Sequence, residues 1–169
     1  LSGRVSAARR PPNVILVVLE SVRARWTSVN NPLYDTTPTL KAELGRSAAF
    51  DNFYAHIGRS SNSLVTMLLS IYPKLDFREL TEQHQKLPRT SLATLFRDRG
   101  YRTAFVTPSD MSWAGWAPFL AERGFEDVWD YHHLSCSELL SSWGVEDRCM
   151  VDAAVRFVEE PFLPEDPPR

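Results

Sequence analysis

The sequence predicts an α/β protein: a doubly wound, mostly parallel sheet with helices on its faces. Three observations carry that expectation. Asn13 to Leu19 is an unbroken β-branched and apolar run, as expected of a strand buried on both faces of a parallel sheet. Strand-like and helix-like segments then alternate along the chain, which is the βα pattern of open parallel sheets. The helical segments also carry start and stop residues at the right places.

In order, residues 1–12 read as a linker ending in Pro11-Pro12, and the first strand closes on an acid, Glu20. Thr37 can cap a helix that has Pro38 as its first residue and Leu40 and Leu44 on one face, ending near Gly45. Ala48 to Tyr54 is expected to be a second strand. Ser61 to Leu69 reads as a short helix with Leu64, Val65, Leu68 and Leu69 inward. Residues 74–90 form a polar connection longer than a routine link. Ser91 to Arg99 is amphipathic and stops at Gly100. A strand over Tyr101 to Thr107, a helix near Trp116 to Arg123 before Gly124, and a short strand over Val128 to Tyr131 follow. Asp147 to Glu160 closes the series as a helix with Val151, Ala154, Val155 and Val158 on one face. The expected layout is thus a linker over 1–12, one α/β body over 13–160 and a Pro-rich end over 161–169.

The chain has 169 residues, 43% hydrophobic and 24% charged, the balance of a soluble globular protein. A formal charge of −2 gives no basic face, so nucleic acid is not expected as a partner. No apolar stretch is long enough to span a bilayer. The first residue is not Met and no signal peptide precedes the linker, as expected of an excised piece whose targeting or membrane segment lies outside it. Cys136 and Cys149 fit no common zinc spacing, and two cysteines make no disulfide framework; the expectation is that they are unpaired, with pairing open to them in an oxidising compartment.

Two segments carry the chemistry. An acid at the C-terminal end of a buried parallel strand, Glu20, stands where open α/β sheets place ligands and offers hard oxygen to a divalent cation. Its ordinary role would be to lead the chain into solvent. The turn Gly58-Arg59-Ser60-Ser61-Asn62-Ser63 opens a helix, where first-turn N–H groups and the positive end of the dipole favour anions. Any of its serines can simply cap that helix, and a catalytic serine needs a metal or base to activate it. Arg59 is placed to clamp an anion or to lie on the surface. Trp113 and Trp116 can stack substrate or pack in the core. His56 is more readily a hydrogen-bonding residue at a strand end. His132 and His133, taken as strand neighbours, would point to opposite faces and not share one ion.

The ordered set of segments resembles the first part of a sulfatase-type domain of the alkaline phosphatase superfamily. It comprises Pro12-Asn13-Val14-Ile15-Leu16-Val17-Val18-Leu19-Glu20-Ser21, Thr37-Pro38-Thr39-Leu40, Phe50-Asp51-Asn52-Phe53-Tyr54-Ala55-His56, the serine turn, and Tyr72-Pro73. Gly100 to Phe105, Phe119 to Phe125 and Trp143-Gly144-Val145 before Asp147 extend the likeness over residues 12–160. The resemblance implies an alkaline-phosphatase-like fold that this chain leaves incomplete. It also implies Ser60 as nucleophile and metal ligand, Glu20 as first metal ligand, and a divalent cation (Ca, Mn, Mg or Zn). The substrate would be a phosphate or sulfate ester, with Arg59 and Trp113 binding it; the alternatives are a true sulfuric ester hydrolase and a non-catalytic sulfatase-like binding domain. The family's Asp-His ligand pair comes later than these residues. Formylglycine sulfatases carry Cys/Ser-x-Pro-Ser-Arg, whereas Ser60-Ser61-Asn62-Ser63-Leu64 lacks the Pro and Arg. A lone Glu20 with an unmodified hydroxyl is more similar to the lipoteichoic acid synthase and phosphoglycerol transferase branch, although that branch uses threonine. Localisation stays open at this point, a cell-envelope or membrane-anchored setting with an extracytoplasmic domain being one that fits.

Overall fold

The computed structural model describes residues 11–76, 78–136 and 138–159. The Pro-rich end, most of the linker and the last residue expected in the final helix lie outside them. The elements are helices α1 (Pro38–Glu43), α2 (Ser60–Leu69), α3 (Leu80–Gln83), α4 (Leu92–Arg97), α5 (Trp116–Ala121) and α6 (Asp147–Glu159), and strands β1 (Ala104–Val106) and β2 (Asp127–Trp129). The chain divides into two units, one running over Ile15–Ala55 and the other built mainly from His56 onward.

In the larger unit β1 and β2 pair in parallel, Ala104 opposite Asp127 and Val106 opposite Trp129. The connection between them carries α5, a βαβ crossover. The core forms where the apolar face of α2 (Leu64, Val65, Leu68, Leu69) meets Met111 and the Phe119 and Leu120 pair of α5. Phe105, Phe125 and Val128 close the sheet side of that core. The α2, α4, α5, β1 and β2 expectations therefore hold to within a few residues, because each rests on local periodicity with a start or stop residue beside it.

The polar connection over 74–90 is structured. Asn62, 1% exposed, accepts from Leu80 N–H at 3.0 Å and donates to the Arg78 carbonyl at 2.9 Å, pinning the entry to α3 onto α2. Thr81 then donates to the Ala114 carbonyl at 2.5 Å. Gly115 has φ +67 where this crossing occurs, and a Cβ there would lie 2.9 Å from the Thr81 carbonyl oxygen, so no larger residue fits without displacing backbone. Further along, buried Arg123 donates to the carbonyls of Phe119, Leu87 and Gln85 and lies over the Phe119 ring. Burial lowers its pKa, and the carbonyls offset the cost of the enclosed charge.

Helix α6 turns a different face inward from the one its valines suggest. Ala153 and Phe157 are buried, whereas Val151 and Val155 are exposed. Phe157 explains the rotation: its ring meets Trp129 edge-on at 5.5 Å and lies beneath the Arg102 guanidinium. An aromatic anchor outweighs two valines in buried area.

The smaller unit departs most from expectation. Residues 13–19 and 48–54 form no strand, and Val14 to Leu19, Phe50, Phe53 and Tyr54 are all exposed. A strand exists only when its N–H and C=O groups meet a neighbour, and among the described residues these segments have no ladder partner. Order within this unit is local. Thr37 precedes α1 as expected, but its hydroxyl does not cap the helix; it accepts from Ser28 N–H at 2.9 Å while Ser28 Oγ accepts from Thr37 N–H at 2.8 Å. Trp26 and Tyr34 pack edge to face at 5.0 Å.

Cys136 and Cys149 form a disulfide, against the expectation that they stay apart. Spacing alone could not show it, because the closure depends on the loop that the bridge encloses. That loop is also held by Val145 N–H donating to the Pro108 carbonyl at 3.0 Å. Gly144 sits against the same carbonyl at φ +148, where a Cβ would come within 2.0 Å of the oxygen.

Candidate functional site

The serine turn becomes a helix start by a definite route. Arg59 is extended and occupies the N-cap position without a capping side chain, so Ser60 is the first helical residue and not the cap. Its backbone N–H, like those of Ser61 and Asn62, falls in the first turn, where no intrahelical acceptor exists. The neighbouring serines have settled partners. Ser61 is fully buried and accepts from the Trp116 indole N–H at 2.9 Å. Ser63 donates to the Ile57 carbonyl at 2.8 Å. Ser60 is half-buried at the tip of the helix, with both flanking residues anchored.

Arg59 is engaged by Glu79, whose carboxylate meets the guanidinium Nη2. Both side chains are largely enclosed, so the pair fixes the cation beside Ser60. Glu79 was not foreseen. It falls within the polar connection, and nothing local distinguishes it from the other charged residues there.

Trp113 is exposed in a 3₁₀ turn, Trp113–Gly115, that follows β1. Its ring lies 6.1 Å from Trp116, which bonds Ser61, and 6.0 Å from Trp143. Trp143 is carried by the disulfide loop and is 65% exposed. A line of three indoles thus runs from the loop surface to the residue next to Ser60. Only Trp113 and Trp116 were singled out in the sequence for stacking; Trp143 joins them through the bridge.

Glu20 belongs to the smaller unit. It is exposed and followed by Ser21 in the left-handed region at φ 57, and the preceding residues are not a strand. His56 donates from Nε2 to the Pro73 carbonyl at 3.0 Å and packs against Tyr72, a structural arrangement.

Asp110, Asp130 and His132 come together, each offering a ligand atom within 4.8 Å of the others. The parity argument against the histidines fails because Tyr131–His133 is a 3₁₀ turn and not a strand. Asp130 caps that turn, accepting from His132 N–H at 3.0 Å, and His133 Nδ1 lies 2.8 Å from the same oxygen. The Asp110 carboxyl is held below the usual carboxylate range, first by the Ser112 backbone N–H at 2.7 Å, then by the Ser112 hydroxyl, with His132 adding a smaller effect.

A family model for sulfatases matches residues 12–163. Phosphoglycerol transferase I from Xanthomonas euvesicatoria pv. vesicatoria (strain 85-10) is 37% identical over 67 residues, which is 37% of this chain and 10% of that protein. The protein of the same name from Xanthomonas axonopodis pv. citri (strain 306) is 36% identical over the same shares. The lipoteichoic acid synthase LtaP from Listeria monocytogenes superposes with a TM-score of 0.79 at 21% identity, covering 89% of this chain and 37% of LtaP. The match thus reaches a tenth of the transferases' length and about a third of LtaP's. The parallel pair with flanking helices is accordingly the expected alkaline-phosphatase-like α/β fold, and the chain belongs to the sulfatase family.

Proposed function

We propose that this chain carries the nucleophile of a metal-dependent enzyme that transfers or hydrolyses phosphate esters through a covalent intermediate on Ser60. The observation that carries the reading is the helix start itself. Ser60 is the first residue of α2, half-buried beside the Arg59–Glu79 pair, at the end of the helix where first-turn N–H groups and the dipole favour anions. Such donors stabilise charge developing on non-bridging oxygens.

In the reaction the Ser60 Oγ forms a bond to phosphorus as the bond to the leaving alcohol oxygen breaks. The hydroxyl proton is lost, and the departing oxygen takes up a proton. Water or an acceptor alcohol then attacks the same phosphorus, and Oγ leaves and regains a proton. Arg59, held by Glu79, faces an oxyanion with its charge, and Trp113 offers a flat apolar surface to the organic part of the ester. By their match to the family's motif, Glu20 would lend a carboxylate oxygen and Ser60 a hydroxyl oxygen, each a donor type that a hard divalent cation takes. When bound, such a cation lowers the hydroxyl pKa and neutralises developing negative charge.

The phosphoglycerol transferase relatives support phosphate over sulfate. The sulfatase family model favours a sulfate-ester hydrolase as the second reading. The disulfide supports placement outside the cytoplasm, because reducing compartments keep such pairs open. Among the described residues, no helix is long and apolar enough to cross a membrane.

Mass spectrometry of the Ser60 peptide from the full-length protein, with and without phosphodonor, tests the proposal. The expected result is unmodified serine at rest and a donor-derived phosphoester during turnover, absent in Ser60→Ala. Turnover persisting in Ser60→Ala would sink the mechanism, and formylglycine at position 60 would select the sulfatase reading.

A further inference from the structure

We propose that Asp110, Asp130 and His132 form a second metal site, binding a zinc-like divalent transition-metal cation with ligands other than Glu20 and Ser60. Their three donor atoms lie within 4.8 Å of one another. Donors around one such cation at bonds of about 2.1 Å stand roughly 3–4 Å apart, so a rotamer adjustment of exposed His132 closes the triangle.

The fold places these groups where ligands are taken. Asp110 follows β1, Asp130 follows β2 immediately, and the two strands run parallel. Residues just beyond the carboxyl ends of parallel strands form the ligand-binding edge of open α/β sheets. The two loops are tied to one another: Thr107 N–H donates to the Trp129 carbonyl at 2.9 Å, and Tyr131 N–H to that of Ser109 at 3.4 Å.

Charge points the same way. The Asp130 side chain is only 10% exposed. Among the described residues, neither Asp110 nor Asp130 is ion-paired with a lysine or arginine; their charge-capable neighbours are His132 and His133. Asp130 accepts from the His132 N–H and lies 2.8 Å from His133 Nδ1, and a dication would add positive charge that a neutral imidazole does not. His133 at 2.8 Å orients the Asp130 carboxylate as outer-shell partners orient metal ligands. One imidazole with two carboxylates selects zinc-like ions over Ca²⁺ and Mg²⁺, which take oxygen ligands. The exposure of His132 leaves the remaining coordination positions open to water.

The test is calorimetric titration with Zn²⁺, paired with visible absorption of Co²⁺, on the full chain carrying Glu20→Gln and Ser60→Ala. That background removes the ligands of the other proposed site, so failure here leaves the Ser60 mechanism untouched. One equivalent should bind. Adding His132→Ala or Asp110→Asn should weaken binding by about tenfold or more, with His84→Ala without effect. His132 is exposed, so its loss spares the fold, whereas Asp130 also caps the turn and is a poorer probe. Zn²⁺ affinity unchanged by His132→Ala would overturn the site. So would absence of binding at about millimolar metal, or binding that requires Glu20 and Ser60.

Discussion

Helix α2 and the segment Ala48 to Tyr54 read much alike in the sequence, since both are rich in large apolar residues and both sit beside candidate chemistry. In the structure they differ completely. The apolar face of α2 is enclosed by α5, Met111 and the sheet, and even its polar residues Ser61 and Asn62 are buried with partners. Phe50, Phe53 and Tyr54 stand exposed. A helix satisfies its own backbone and needs only one face covered, whereas a strand needs a neighbour before its side chains have a face to cover. Hydrophobicity announces burial in both segments, but only the helix can begin to meet it alone.

The sharpest way to break that contrast is to truncate one phenylalanine from each unit. Phe119 is 0% exposed and Phe53 86%. Phe119→Ala should cost about 4 kcal/mol of stability, and Phe53→Ala less than about 0.5 kcal/mol, read from urea unfolding of the two variants. A cost above roughly 1 kcal/mol at Phe53 would show that its ring is covered in solution. Next in size is the disulfide. Replacing Cys136 and Cys149 by serine opens a closed loop whose cross-link is worth about 3 kcal/mol on loop-closure grounds. Equal stability of the oxidised protein and the double variant would mean that the Pro108 contact of Val145 holds the Trp143 loop unaided. Asn62→Ala follows at about 2 kcal/mol, because Leu80 N–H and the Arg78 carbonyl lose their shared partner.

What the sequence made legible follows the same division. Gly100, at φ 81, follows the end of α4, Pro38 opens α1, and the i, i+1, i+4, i+5 apolar positions of α2 all point inward. Each of those signals lies within one or two turns of the element that it specifies. Glu79 against Arg59, Trp143 against Trp113 and the bridge between Cys136 and Cys149 join residues whose relation depends on how the chain returns on itself. The geometry at His132 and His133 was hidden for a related reason: the side-chain parity of a strand was applied to residues that form a 3₁₀ turn, in which His132 alone joins Asp110 and Asp130. On α6 the valines set the periodicity correctly, but the ring of Phe157 chose the face. Ser60 was legible locally only as one of several serines, and it was the likeness to the sulfatase family that named it as nucleophile.

The smallest expected effect tests the loop after β1, which sits on the well-built side of the contrast. The Asp110 carboxyl has its pKa lowered from 3.8, chiefly by the Ser112 backbone N–H and hydroxyl. A carboxyl depressed in the folded state binds its proton less readily than in the unfolded chain. Its contribution is therefore complete above the unfolded value, near pH 4, and is lost as the pH falls through the lower folded value. Asp110→Asn should accordingly narrow the stability difference between pH 5 and pH 3 relative to the parent, by a fraction of a kcal/mol at this half-exposed position. Two-dimensional NMR of the Ser112 amide should report the same titration below pH 4. An Asp110 resonance titrating at or above the ordinary carboxylate value would show that the Ser112 bond does not form in solution. The loop after β1 would then share the unpartnered character of residues 48–54, and the contrast between the two regions would weaken where the proposed metal site depends on it.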